Sequence, residues 1–354
     1  MRSLTCFGLL GIATALLASA PVTSEAQQGG QPCPLSAPAS NDWHNPTLGE
    51  SLTSFSDLVG FPCGPDAPNP QSPPCGPTWF ATADAIIMQR ISLNGAPIAL
   101  RQSDGSTALN SQDIHFNDAA GPRLTIGHRL NSYCDVQFVY YGIDGSHGSG
   151  SASDPGGVRL SNIAPSIAGP GLSFDYSCRL YNGELNLRRK IEDGPTILVG
   201  LRWLELQDGL GASLTSALGS IPQWNVDANN HLLGVQLGAE GPFWPEGGRF
   251  GLDGFVKAGV YGCHASQVNS DQLDQPAGAE TDRASFVGEA GLTAHFQITD
   301  HILLRGGYEV LWIDGIAMAP MQVRLTDLSA GTTAINADGG VLYHGAFAGL
   351  EMNY

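Results

Sequence analysis

The sequence predicts an all-β protein: a closed, antiparallel, up-and-down transmembrane β-barrel of about ten strands, preceded by a flexible N-terminal arm. Three observations predict it. From Thr78 onward the chain falls into runs that alternate apolar and polar residues with period two. The connections between those runs alternate short and long. No apolar run after the N-terminal leader approaches the roughly 20 residues of a membrane helix, so any crossing of a bilayer falls to strands.

Composition agrees. The 354 residues include 46 Gly and 23 Pro, punctuation too frequent for a helical protein. Only 14% are charged, well below the roughly 25% of an average soluble domain. Hydrophobic residues make up an ordinary 42%, so glycine and neutral polar residues fill the gap. That suits a wall with one face in lipid and one face wet. Net charge is −17, and only Lys190 and Lys257 are lysines. Such a chain repels phosphate backbones, which excludes nucleic acid as a partner. The acidity keeps loops soluble or holds divalent cations at a lipopolysaccharide surface.

Residues 1–26 read as a secretory signal peptide. Arg2 supplies the positive charge, Cys6 to Ala20 the apolar stretch, and Ser24-Glu25-Ala26 the small-x-small cleavage site. Cleavage leaves Cys33, Cys63, Cys75, Cys134, Cys178 and Cys263. An even number of cysteines in an exported chain favours disulfides. Cys63 and Cys75 flank a Pro-rich segment and are expected to pair; that segment offers no histidine, which argues against zinc. Residues 27–77, rich in Pro, Ser, Asn and Gly without periodicity, form the flexible Pro/Cys-rich arm.

The barrel occupies residues 78–354. Its strands are expected at 79–91, 121–130, 133–143, 171–191, 195–207, 224–240, 249–263, 284–298, 301–313 and 340–354. The links 131–132, 192–194, 241–248 and 299–300 are short. Those at 92–120, 144–170, 208–223, 264–283 and 314–339 are long. Tight periplasmic turns and long surface loops produce this alternation in outer-membrane barrels. A soluble Greek-key sandwich has no reason to do so. Twelve strands are the alternative, since Ala96–Phe116 and Met321–Asn336 each have room for one more.

Two strands need comment. In 171–191, Leu172, Phe174, Tyr176, Cys178 and Leu180 share one parity, while Leu185 and Leu187 share the other. A glycine bulge at Asn182-Gly183 accounts for the change and keeps one continuous strand. With Cys134 and Cys178 on consecutive strands and one parity, they are disulfide candidates if the register permits. The last strand ends the chain on alternating Leu350, Met352 and Tyr354, the form of an assembly signal read by the barrel-assembly machinery.

Parity then assigns the faces. Leu124, Ile126, Phe138, Leu201, Leu233, Val235, Leu237, Leu292, Leu304 and Leu350 face outer-membrane lipid. The lumen-facing candidates are Asp84, Arg123, Arg129, Asp135, Asp175, Arg179, Arg202, Asp253, Lys257, Glu289, Arg305, Glu309 and Glu351. A lipid-facing midplane Arg or Lys costs roughly 2–4 kcal/mol, so this segregation is required. About ten strands enclose little volume, and paired acids and bases crossing it point to a plugged or restricted lumen.

No enzyme signature is present. The chain lacks GxSxG, HExxH and a calcium loop, and the histidines are scattered over separate elements. Gly145-Ser146-His147-Gly148-Ser149-Gly150 has no strand–helix context and reads as a flexible loop. No catalytic, cofactor or metal residues are assigned. The functional expectation is a porin or narrow channel for ions or small solutes in the bacterial outer membrane, or a mainly structural envelope protein. A secreted soluble β-protein that binds a partner or glycan is the alternative, and an outer-membrane hydrolase the second.

Several segments together resemble a family of planctomycete β-barrel porins, β-barrel porin family seven. They are TWFATADAIIMQR at Thr78–Arg90, YNGELNLRRKI at Tyr181–Ile191 and ILVGLRWLELQDGL at Ile197–Leu210. NHLLGVQLGAEG at Asn230–Gly241, LDGFVKAGVYG at Leu252–Gly262 and LLRGGYEVLWIDGIAMAP at Leu303–Pro320 continue the series. The resemblance implies an outer-membrane barrel, brings no catalytic residues with it, and leaves the arm uncovered.

Overall fold

The computed structural model describes residues 78–354, except 165, 193, 217–218, 245–248 and 272–275. The signal peptide, the arm and the Cys63–Cys75 pair lie outside the described residues. Strands run β1 (Trp79–Ser92), β2 (Pro97–Arg101), β3 (Thr107–Asn110), β4 (Ala119–Arg129), β5 (Cys134–Leu160), β6 (Ala168–Lys190) and β7 (Thr196–Ser216). Then follow β8 (Gly219–Trp244), β9 (Phe250–Asp271), β10 (Ala277–Gln297) and β11 (Ile302–Ile316). One helical turn, α1 (Ala319–Val323), the short β12 (Thr326–Asp327) and β13 (Thr332–Thr333), and β14 (Gly339–Asn353) complete the order.

Ten strands, β1, β4 to β11 and β14, close an antiparallel barrel. Consecutive barrel strands pair along the wall, and β5 pairs with β6 to complete the ring. The first and last barrel strands meet from Phe80 opposite Asn353 to Ser92 opposite Val341. The additional strands foreseen in 96–116 exist, but outside the ring: β2 and β3 form a hairpin whose first strand adds to the top of β5. Within 321–336, β12 and β13 pair with each other, and Asp327 of β12 also bridges Ala164.

Strand lengths divide the wall. β1, β4, β11 and β14 have 11 to 15 residues, whereas β5 to β10 have 21 to 27. The segments 144–170, 208–223 and 264–283, expected as long loops, are therefore mostly strand. The run Gly145–Gly150 belongs to β5 and pairs with β6, Ser146 opposite Cys178 and Gly150 opposite Phe174. Together these extensions form a collar above the lower wall.

In the lower wall the outer face is apolar, with Ile126, Leu201, Leu233, Val235 and Leu237 all exposed. In the collar the faces exchange chemistry. Ser173, Asp175, Ser177, Asn225 and Asp227 point outward, while Leu172, Phe174, Tyr176, Leu206, Leu210 and Val226 are buried inside. Burying each of these large side chains is worth about 1.5–3 kcal/mol, so the collar has a conventional apolar core.

The β6 parity problem dissolves on this basis. Leu172 to Leu180 and Asn182, Glu184 and Asn186 all point inward, in unbroken register with β7. There is no bulge at Asn182-Gly183; the interior changes from apolar to polar there. The register shift lies on the partner strand, between Ile143 and Ser146 of β5, where Gly145 takes φ +82°. That positive φ suits glycine, which has no Cβ to clash.

Candidate functional site

The lower interior is a layer of ion pairs. Even-numbered residues of β6 and β7 and odd-numbered residues of β9, β10 and β11 project into it, because each lies opposite the apolar outer parity. Arg202 lies at its centre, 1% exposed. Its Nη1 lies 2.8 Å from Glu289 and its Nε 3.6 Å from Glu184. It also donates to Asn182 Oδ1 at 2.6 Å and to the Tyr141 hydroxyl at 3.1 Å. Lys257 bridges the two acids, 3.2 Å from Glu184 and 3.0 Å from Glu289. Asn186 and Gln236 donate to Glu184 Oε2, the oxygen that Lys257 also approaches, at 3.0 and 2.9 Å.

A second set continues across the lumen. Arg123 contacts Glu309 at 2.5 Å and Asp84 at 2.9 Å, with its guanidinium 4.2 Å from the Phe347 ring centroid. Arg305 lies 3.5 Å from Asp84 and 3.6 Å from Glu351. Arg188 joins Asp135, at 3.3 Å, and Glu240. Glycines make the room: a Cβ on Gly349 would strike Asp84, and one on Gly200 would strike Asn186. Buried charges persist only when paired, and removing one partner leaves the other stranded at high cost.

Most sequence-derived lumen candidates therefore lie inside. Asp84, Arg123, Arg202, Lys257, Glu289 and Glu309 meet in the two connected sets, and Arg305, Glu351 and Asp135 lie at their margins. Arg129 donates to Asn353 at 3.2 Å, and Asp253 faces His295 at 3.2 Å. Asp175 and Arg179 do not belong to the lumen. They stand on the outside of the collar, Arg179 pairing with Asp144 at 2.9 Å and Asp175 lying 3.8 Å from His147. They have the parity opposite to apolar Leu172 to Leu180, and in the collar it is those apolar residues that face inward.

Cys134 and Cys178 are not bonded to each other. Cys134 sits opposite Arg189 at the foot of β6, whereas Cys178 sits opposite Ser146, far up the same strand. Both are buried, and the Cys178 thiol lies 2.9 Å from the Tyr343 hydroxyl. Burial in the collar pushes that thiol up to about 11, which keeps it protonated and unreactive.

Sequence reasoning missed Glu184, Asn186, Arg188, Gln236 and Asp208. Glu184 sits between outward Leu185 and inward neighbours of equal parity, a readable signal. Asp208 had been assigned to a loop. In the collar it accepts from the Tyr176 hydroxyl at 2.8 Å and pairs with Arg90 at 2.9 Å. Arg90 lies between the rings of Phe116 and Tyr176, at 4.3 and 4.7 Å from their centroids.

The collar is stoppered from above. After Gly315, at φ +81°, the chain turns inward and residues Ile316 to Pro320 are all buried. Asn230 clamps Ala317 in both directions, donating to its carbonyl at 2.8 Å and accepting from its N–H at 2.7 Å. The Ala319 N–H donates to Asp208 at 2.8 Å. Gln322 donates to the carbonyls of Met318 and Asn336, at 2.9 and 2.7 Å. This is the structural role of the WIDGIAMAP stretch at Trp312–Pro320: it carries the end of β11 and then the stopper.

The surface carries shallow cavities. One, of about 430 Å³, lies between Thr281 and Arg283 of β10 and residues Ala334 to Asp338. Another, of about 410 Å³, is a furrow on the collar exterior, floored by Gly209 and Gly211 and flanked by Asp175 and Asp227. Among the described residues no helix is long and apolar enough to cross a membrane, a statement that does not bear on crossing by strands.

No family model and no curated protein matches the sequence. Among solved structures, the chain is similar to the outer membrane protease OmpT from Escherichia coli, at a TM-score of 0.51 and 12% identity. That match covers 81% of this chain and 100% of the protease. The translocator domain of the autotransporter NalP from Neisseria meningitidis aligns at a TM-score of 0.38 and 9% identity, over 78% of this chain and 89% of that domain. The chain has the fold of an outer-membrane β-barrel. The likeness to the protease extends to that fold and not to an activity.

Proposed function

We propose that the protein is a bacterial outer-membrane barrel with a sealed lumen, serving as a structural, surface-presenting component of the envelope. The observation that carries this reading is the buried ion-pair layer around Arg202, closed above by the stopper at Ile316–Pro320. Around it, the apolar outer belt suits lipid, and outward Leu350, Met352 and Tyr354 of the last strand suit recognition by the barrel-assembly machinery. A signal peptide at 1–26 would deliver the chain. Planar-bilayer recording on the detergent-folded protein tests the seal. The expected outcome is no steady conductance; reproducible unitary steps from the wild type would overturn it.

A second reading, a restricted channel for ions or small solutes, is favoured by one observation and by the resemblance to β-barrel porin family seven. Part of the upper closure is one connection, residues 317–338, held to the wall by side chains such as Asn230 and Asp208. Displacing that connection would remove one of the layers that close the lumen above the ion pairs. On this reading the protein conducts once the stopper is freed, as in an Asn230→Ala/Asp208→Ala variant, and is silent before.

A further inference from the structure

We propose that His231 and His264 form a two-histidine binding site for a divalent transition-metal cation on the outer face of the collar. The two residues, 33 positions apart in the chain, are direct cross-strand partners on β8 and β9. Side chains so paired have Cβ atoms about 4.5–5.5 Å apart, a spacing that lets two imidazoles reach one ion. Both point outward just above the apolar belt, with side chains 48% and 49% exposed.

A carboxylate flanks each ring on its far side. Glu205 of β7 is the partner of His231, and Asp282 of β10 is the partner of His264, so one row runs Glu205–His231–His264–Asp282 across four strands. His264 Nδ1 lies 2.8 Å from Asp282 Oδ1, and His231 Nδ1 lies 3.9 Å from Glu205 Oε2. With Nδ1 turned to a carboxylate, Nε2 is the nitrogen presented to a ligand. Metal-binding histidines are oriented and made more basic by this same carboxylate–imidazole arrangement.

The surroundings favour a cation. The row above holds Gln207, Asn229, Ser266 and Glu280, and the row below Trp203, Leu233, Gly262 and Ala284. On these four strands the three rows hold no lysine or arginine, while Glu205, Glu280 and Asp282 supply negative charge; Arg179, opposite Gln207 on β6, is paired with Asp144. Gly262 leaves open space beneath the pair, the nearest atom to a Cβ there being 3.9 Å away. Imidazole ligands select zinc, copper or nickel over magnesium or calcium. Among the described residues no three His, Cys, Asp or Glu side chains form a metal-binding group. The site accordingly supplies two nitrogens, and water completes the coordination.

The test is a Cu²⁺ titration of the full-length, detergent-folded protein near neutral pH, read by electron paramagnetic resonance. A heat-modifiable gel shift establishes that each variant is folded. The wild type is expected to show one saturable copper species with two imidazole nitrogens. His231→Ala and His264→Ala should each weaken it by at least about tenfold, and the double variant should abolish it. His147→Ala, elsewhere on the collar exterior, should leave it intact. Absence of a two-nitrogen species in the wild type, or its survival in the folded double variant, would overturn the proposal.

Discussion

Strand β8 passes through two regions that treat the same side-chain alternation in opposite ways. In its lower part Leu233, Val235 and Leu237 face out, 64%, 59% and 62% exposed, while Gln236 is buried beside Arg202. In its upper part Asn225 and Asp227 face out, while Trp224, Val226 and Ala228 are buried. Backbone parity never breaks between Trp224 and Pro242 in the pairing with β9. What changes is the medium on each side: lipid outside and ion pairs inside below, water outside and an apolar core inside above. A strand face's polarity therefore reports its surroundings and not its direction.

Four substitutions probe that contrast. Arg202→Ala removes the base shared by buried Glu184 and Glu289, leaving Lys257 as their remaining cation. It should destabilise the folded barrel by about 3–5 kcal/mol, measured by urea unfolding of the heat-modifiable form. Next come two arginines on one strand face. Val235→Arg in the lower wall should cost roughly 2–4 kcal/mol in lipid vesicles, whereas Asn225→Arg in the collar should stay within about 0.5 kcal/mol. Equal costs would erase the distinction between the regions. Between those two falls Ile316→Val in the stopper, at about 1 kcal/mol, since one methylene leaves a fully buried site.

The lower wall was legible in the sequence because its alternation is strong and its medium is the expected one. About ten strands and their closure follow from the runs and the alternation of short and long connections, and the inward positions of Asp84, Arg123, Arg202 and Glu309 from parity. The collar was not legible. Its outward residues are Gly, Ser, Asn and Asp, the same types that mark turns, so 208–223 and 264–283 read as loops. Where apolar residues did alternate, as from Leu172 to Leu180, they pointed inward and carried Asp175 and Arg179 to the wrong face. Pairing across the sheet was equally hidden: nothing in the spacing of His231 and His264, or of Cys134 and Cys178, reveals which pair meets.

The conductance experiment bears on the seal, but the exchange of faces is the more basic claim. It is tested most directly by spin labels at Asn225, Asp227, Leu233 and Val235, in a background with native cysteines replaced by serine. Collision with oxygen, which concentrates in lipid, is compared with collision with a water-soluble nickel complex. The account expects oxygen to dominate at 233 and 235 and nickel at 225 and 227. Oxygen-dominated signals at all four sites, or nickel-dominated signals at 233 and 235, would contradict it.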